Sequence, residues 1–173
     1  AARIAWSDTG HRVFGAALAG KAAEGLQASS GIPSRTIASW QHAWAQGRDL
    51  LGRGDVFVVD EAGMVSSKQM AMLVQTVEDA GAKLVLVGDP EQLQPIEAGA
   101  AFRAIVERIG FAELTDVRRQ QAPWMRLATQ QLARGDVGLA IAVYQKHHAI
   151  QTLETRAQAI ELLVHDWTKA RCD

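Results

Sequence analysis

Hydrophobic positions along the 173-residue chain follow two patterns that alternate. One is a short, nearly unbroken apolar run, as in "RVFGAAL" (12–18), "DVFVVD" (55–60) and "KLVLVGD" (83–89). Runs of this length, rich in β-branched residues and bounded by polar ones, predict strands, the second and third buried on both faces. The other pattern is helical. "AARIAW" reads as the tail of a helix, and "AGKAAEGLQASSG" as a helix ending at Gly31 with Pro33 just beyond. "TIASWQHAWAQG" predicts a short helix capped by Thr36 and closed by Gly47. In "SSKQMAMLVQTVEDAG" a serine cap leads into Met70, Leu73, Val74 and Val77 at helical spacing, stopping at Gly81. "GAAFRAIVERIG" predicts a helix between glycines and "FAELTDV" a further strand.

Strand and helix patterns that alternate in this way predict an α/β fold on a parallel sheet. The pattern changes near residue 120. Residues 123–145 predict two helices broken near Gly135–Asp136, "AIQTLE" (149–154) a strand, and "TRAQAIELLVHDWTKA" (155–170) an amphipathic helix. The expected division is residues 1–120, α/β, and 121–173, mainly helical. There is no internal repeat and no low-complexity tract.

Composition narrows the class. With 48% apolar and 21% charged residues the chain is of ordinary globular type. No apolar run nears the roughly 20 residues of a membrane span, and "AARIAWSDTG" shows no signal-peptide pattern. The single cysteine, Cys172, excludes an internal disulfide and a multi-cysteine zinc site, and fits a reducing cytoplasm. Charge is uneven. Residues 1–54 hold Arg3, Arg12, Lys21, Arg35, Arg48 and Arg53 against Asp8, Glu24 and Asp49, a net of +3, which leaves −4 for the rest of a chain whose total is −1. This fits an anionic partner near the N-terminal third, and equally a chance scatter of surface charge.

Chemistry enters where strands end. In an open parallel sheet, ligands bind outside the carboxyl ends of the strands. Asp60 and Glu61 follow one strand, and "GDPEQLQP" follows the next. Acids on one rim suit nucleotide hydrolysis: one carboxylate to help hold Mg²⁺ through its waters, a second to orient and deprotonate water, and a polar side chain beside the γ-phosphate. The plainer alternative is that Asp60 caps the next turn and Glu61 is solvated. Gly88, Pro90, Gln92 and Gln94 after the second strand weigh against it, because a tight, stiffened turn carrying neutral hydrogen-bonders is unusual in a generic loop.

These strings carry a resemblance. "VVDEAGMV" resembles the Walker B segment of superfamily 1 helicases in its RecD-like form, and "LVGDPEQLQPIEAGAAF" that branch's motif III. "ELTDVRRQ" resembles motif IV. "GAALAGKAAEGL" and "SRTIASW" resemble the segments that touch single-stranded DNA. The whole string is most similar to the helicase part of TraA-type conjugative relaxases, over about residues 1–155. The resemblance implies a RecA-like P-loop NTPase sheet flanked by helices, and an ATP-dependent helicase motor working with Mg²⁺ on single-stranded DNA in conjugative transfer. By position it implies that Asp60 holds Mg²⁺ through water, Glu61 activates water, Gln92 contacts the γ-phosphate and Arg119, ahead of Arg118, stabilises transition-state charge. Asp89 is expected to brace its turn. Lys21, Thr36 and Trp40 are implied along the DNA track. Lys21 also reads as an ordinary surface lysine, and Trp40 and Trp44, four apart on a helix, as core. Trp124 and Trp167 read as packing, His165 as surface. His147 and His148 are adjacent and point apart, against a metal pair.

The phosphate loop G-x-x-x-x-G-K-[ST] does not occur in these residues, and "GAALAGK" followed by Ala22 is no substitute. Set against the family pattern, the chain is expected to begin inside the helix that follows that loop, with residues 121–173 a helical linker and the start of a second RecA-like domain that continues past residue 173. Three expectations result: an incomplete sheet, no useful ATP hydrolysis by residues 1–173 alone, and an unpaired edge on "KLVLVGD" that favours self-association. The competing readings are a non-catalytic nucleic-acid-binding or interaction module that kept the fold, and a RecD-like, exonuclease-associated helicase.

Overall fold

A computed structural model of the chain describes residues 2–89, 100–114 and 120–171. It divides into two compact units, Ala1–Ala112 and Glu113–Asp173.

In the first unit the apolar runs become strands and the helical patterns wrap them. The order is α1 (Ala2–Asp8), β1 (Val13–Ala17), α2 (Gly20–Ser30), β2 (Ser34–Thr36), α3 (Ile37–Ala45), β3 (Val56–Val59), a 3₁₀ turn (Ala62–Met64), α4 (Ser67–Asp79), β4 (Lys83–Leu86) and α5 (Ala101–Ile109). The four strands form one sheet in the order β2-β1-β3-β4, parallel throughout. Val13 to Ala16 pair in step with Val56 to Val59, and these in turn with Lys83 to Leu86.

Side chains alternate between the two faces of the sheet. On one face Ala16, Phe57 and Val59 pack with Ile37 and Trp40 of α3, Met70, Leu73 and Val77 of α4 and Phe102 of α5. On the other, Val13, Val56 and Val58 meet Ile32, with Trp6 of α1 beside them. Gly15 opens that second face to α2. A Cβ there would lie 2.1 Å from Ser34 Oγ of β2 and 3.0 Å from Leu26 Cδ2 of α2, so any larger residue would push these side chains aside.

Helix ends follow their local signals. Thr36 accepts from the Ser39 amide, and Ser66 from that of Gln69. Gly31, at φ 70°, ends α2 in the left-handed conformation. β3 is buried along its length, as expected of an interior strand. β4 departs from expectation: Lys83 is exposed and Leu84, Val85 and Leu86 are only half-buried. Among the described residues it pairs with β3 alone, and no described strand shields its second side. Val74 also lies outside the core at 38% exposure, because α4 buries the narrower stripe of Met70, Leu73 and Val77.

At the sheet's amino end, Arg12 Nε donates to Asp55 Oδ1 at 2.8 Å and Nη2 to Oδ2 at 2.5 Å. The Gly52 amide adds a 2.7 Å bond to Oδ2. Asp55 is buried. Burial pushes its carboxyl up, but the bonds from Arg12 and Gly52, with the charges of Arg12 and His11, outweigh this and hold it below the usual carboxylate value.

The second unit is helical: α6 (Pro123–Ala133), α7 (Val137–Lys146) and α8 (Arg156–Ala170). α6 and α7 break at Gly135, where φ is 81°. Trp124 packs as expected, stacked on His147 with centroids 4.2 Å apart and planes 8° apart. Two expectations fail here. Residues 149–154 form no strand, having no partner strand to pair with among the described residues. Trp167 is 58% exposed, with the Arg171 guanidinium carbon 4.8 Å from its ring centroid, rather than packed in a core. α8 starts at a capping box, Thr155 with Gln158, whose T-x-x-Q spacing is present in the sequence. Of the predicted strand "FAELTDV", residues 111–114 are not in a strand, and 115–117 lie outside the described residues.

Candidate functional site

Because all four strands run parallel, their carboxyl ends share one rim. The residues that leave these ends are Leu18 to Lys21 after β1, Thr36 at the end of β2, Asp60 and Glu61 after β3, and Val87 to Asp89 after β4.

The β3 end is tied to both of its neighbours. The Asp60 amide donates to Ala16 O at 2.9 Å, continuing the ladder towards β1. On the other side Val87 N donates to Val59 O, and Ala62 N to Val87 O, each at 2.8 Å. Beyond Val87 the two strand ends are in close contact. A Cβ on Gly88 would sit 3.1 Å from the amide nitrogens of both Ala62 and Gly63, and one on Gly63 would sit 3.2 Å from Asp89 O. The turn that follows the acid pair and the glycine of "GDPEQLQP" are therefore packed side by side.

Within the pair the backbone sets the roles. Asp60 is half-buried, and its Oδ1 accepts from the Glu61 amide at 3.0 Å. Glu61 is exposed and takes φ 52°, ψ 42°, a left-handed conformation that costs a residue with a Cβ about 1–2 kcal/mol. This reverses the chain into the 3₁₀ turn, where Met64 N donates back to Glu61 O at 2.9 Å. Asp60 supports the turn through Oδ1 and Glu61 is exposed, as the plainer reading held, while the second Asp60 oxygen makes no described bond. Two carboxylates with spare oxygens at a strand end are hard donors of the kind that suits Mg²⁺. A triphosphate cradle of the P-loop sequence does not occur among these residues.

Gln92, Arg118 and Arg119 lie outside the described residues. Of the four residues expected to converge, the structure thus places Asp60 and Glu61. Asp89 is exposed, and its carbonyl abuts the 3₁₀ turn.

Lys21 is exposed in the first turn of α2. Thr36 is half-exposed and ends β2, its hydroxyl oxygen accepting from Ser39 N at 3.1 Å, which leaves its O–H free to donate. Trp40 corrects the stacking assignment. It is 3% exposed, with Nε1 donating to Gly15 O at 2.8 Å and ring centroids of Phe14 and Phe57 at 5.5 and 5.4 Å. The Arg35 guanidinium covers its ring at 3.8 Å, so no face remains for a base. Arg35 entered the sequence reading only as a charge. Nothing in "SRTIASW" shows that residue 35 reaches residue 40 across the turn into α3.

No helix among the described residues is long and apolar enough to cross a membrane. A family model described as an AAA domain matches residues 1–155. The chain is 59% identical over 169 residues to the conjugal transfer protein TraA of Agrobacterium fabrum, covering 98% of this chain and 15% of that protein. It is 44% identical over 92 residues to the RecBCD enzyme subunit RecD of Mycolicibacterium smegmatis, covering 51% of this chain and 16% of that one. To the ATP-dependent RecD2 DNA helicase of Deinococcus radiodurans it is 38% identical over 68 residues, 39% of this chain and 9% of that one. The chain thus spans a small part of the length of each of these relatives. With its all-parallel sheet, its paired acids at a strand end and a family match over most of its length, the chain belongs to the AAA domain family and is a RecD-like, helicase-type member of it.

Proposed function

We propose that these residues form part of an ATP-dependent helicase motor that moves along single-stranded DNA during conjugative transfer. The observation that carries this reading is the packing of the Asp60–Glu61 end against the Gly88–Asp89 end on the carboxyl rim. Mg²⁺, when bound, supplies charge neutralisation to the phosphates. Asp60, with one oxygen not engaged by the Glu61 amide, would help hold that ion through its waters. Glu61 orients the attacking water and accepts its proton. Gln92 reads the γ-phosphate end and relays its state towards the DNA, and Arg119 offsets the charge that spreads over the transferring group. Lys21 and Thr36 give a DNA backbone a cation and a hydroxyl donor on the same rim. Residues 121–173 serve as a helical linker and the start of a second RecA-like domain.

Residues 1–173 alone hold no phosphate loop, and therefore lack most of the amide donors and the lysine that bind a triphosphate. As an isolated polypeptide they should show no useful ATP turnover, and Glu61→Gln should be indistinguishable from wild type. Joined to a segment that supplies the loop, the same substitution should remove turnover by about a hundredfold or more. Turnover by residues 1–173 that Glu61→Gln abolishes would refute the division of labour. The coding sequence upstream of Ala1 offers a second check: a G-x-x-x-x-G-K-[ST] about a helix's length before it supports the motor, and a start codon or unrelated sequence favours a non-catalytic module.

The same reading gives β4 a role in assembly. Its half-buried apolar residues and single described partner favour pairing with another chain or a swapped element. Light scattering at high concentration should then show self-association; a monodisperse monomer counts against it.

A further inference from the structure

Glu61 takes a conformation that its own side chain disfavours, at φ 52° and ψ 42° in the left-handed region. Such a residue persists where its neighbours leave it no other course. Before it, the Asp60 amide is bonded to Ala16 O at 2.9 Å. After it, the Ala62 amide is bonded to Val87 O at 2.8 Å, and Ala62 is fully buried. A third support comes from α5, through Phe102, the residue of that helix that is buried. Its Cδ1 would lie 3.7 Å from a Cβ on Gly63, and its Cε1 3.3 Å from one on Gly88. Those two carbons are neighbours on one edge of the ring. The edge therefore backs both the 3₁₀ turn after Glu61 and the chain leaving β4. Neither glycine carries a side chain, so the ring meets main chain directly.

We propose that Phe102 is a positioning residue for Glu61: its ring edge backs the turn at Gly63 and the strand end at Gly88, and so keeps Glu61 in the left-handed conformation. The inference rests on the reading of Glu61 as the water-activating residue and adds the group that fixes its backbone. Phe102 lies in the core and acts only through the turn. A smaller or more flexible side chain leaves room behind the two glycines. The turn can settle into that room, and Glu61 can then relax. Water activation depends on near-attack geometry, so a shift of about 1 Å in the carboxylate is enough to cost rate.

Two measurements test it. The first is thermal melting of the 173-residue chain, which needs no ATP turnover. Glu61→Gly should raise the melting temperature by up to about 4 °C through relief of strain. In a Phe102→Leu background that rise should shrink by roughly half or more, because Glu61 is already free to relax. Phe102→Met, close to leucine in size and equally without a flat edge, should behave alike, and it decides the comparison where Phe102→Leu fails to fold. Val13→Ala loosens the opposite face of the sheet and should leave the rise intact. A rise undiminished by the Phe102 changes, a rise that Val13→Ala diminishes equally, or no rise in the wild-type background overturns the proposal. The second measurement is ATP turnover by residues 1–173 joined to a segment that supplies the phosphate loop. Phe102→Leu should lower kcat roughly ten- to a hundredfold, with KM for ATP changed by less than about twofold. In a Glu61→Gln background it should cost nothing further, whereas a merely structural role adds its loss in both backgrounds. Turnover indifferent to Phe102, or a loss that persists without the Glu61 carboxylate, refutes this inference alone. No turnover by the joined wild type refutes the motor reading and, with it, the role in the chemistry given to Phe102.

Discussion

Gly88 packs directly on the backbone of Ala62, so close that a Cβ would lie 3.1 Å from the Ala62 nitrogen, 3.1 Å from that of Gly63 and 3.3 Å from Phe102 Cε1. Two of these three neighbours are main chain and cannot swing aside. Gly88→Ala should therefore lower stability by about 1–3 kcal/mol, as overpacking does, with an unchanged denaturant m-value. Urea unfolding checks it. An unaltered midpoint would mean that the strand ends are not in such close contact.

Glu61 is held in the left-handed region at φ 52°, where a side chain is strained. Glu61→Gly should relieve that strain, offset in part by glycine's greater freedom in the unfolded chain, for a net gain of up to about 1 kcal/mol. Glu61→Asn, which tolerates this conformation better, should be neutral or stabilising. The proposed water-activating carboxylate is lost in both, so stability and chemistry should part company at this residue. A fall in melting temperature for both variants would contradict the assignment.

Trp40 separates a core role from a stacking role. Trp40→Phe keeps an aromatic ring but strips the donor from Gly15 O, and should cost about 1–3 kcal/mol. Trp40→Ala should cost about 3–5 kcal/mol, the usual range for emptying such a site. A stacking platform would instead show little loss of stability with phenylalanine. Differential scanning calorimetry of the two variants distinguishes the cases.

Asp55 sets an acid limit. Its carboxyl is held below its ordinary value in the folded chain, so its contribution is fully present above the unfolded carboxylate range. That contribution is lost as pH falls through the depressed folded value. Melting temperature should therefore drop on acidification below about pH 4. In Asp55→Asn, which lacks this titration, the acid limb should be shallower, from a lower plateau at neutral pH. Parallel acid limbs for the two proteins would show that the Arg12 bridge does not govern the response.

Much of the first unit was legible because its signals are local. Thr36 and Ser66 announce helix starts through their own hydroxyls, Gly31 and Gly81 mark stops by their backbone freedom, and "VFVV" is too apolar to face water on either side. The family strings around Asp60 and Gly88 could be read for the same reason, as short contiguous motifs. Arg12 and Asp55 could not be paired from the sequence, since 43 positions separate them and only the parallel register brings β1 and β3 together. Trp40 and Trp44 sit on one helix four apart and looked alike. The fold buries the first and leaves the second half-buried, its Nε1 turned to Asp49 O.

By itself, then, the sequence determined the kinds of element, their order, and the presence of two acids at the end of an apolar strand, because backbone propensity and side-chain period act over a few neighbouring residues. Only the tertiary structure decided that β4 is half-covered, that residues 149–154 do not pair, that Gly88 meets Ala62, and that Arg35 lies between Trp40 and Asp49. Each of these depends on which distant segments become neighbours, and that is settled by the packing of the whole sheet and its helices.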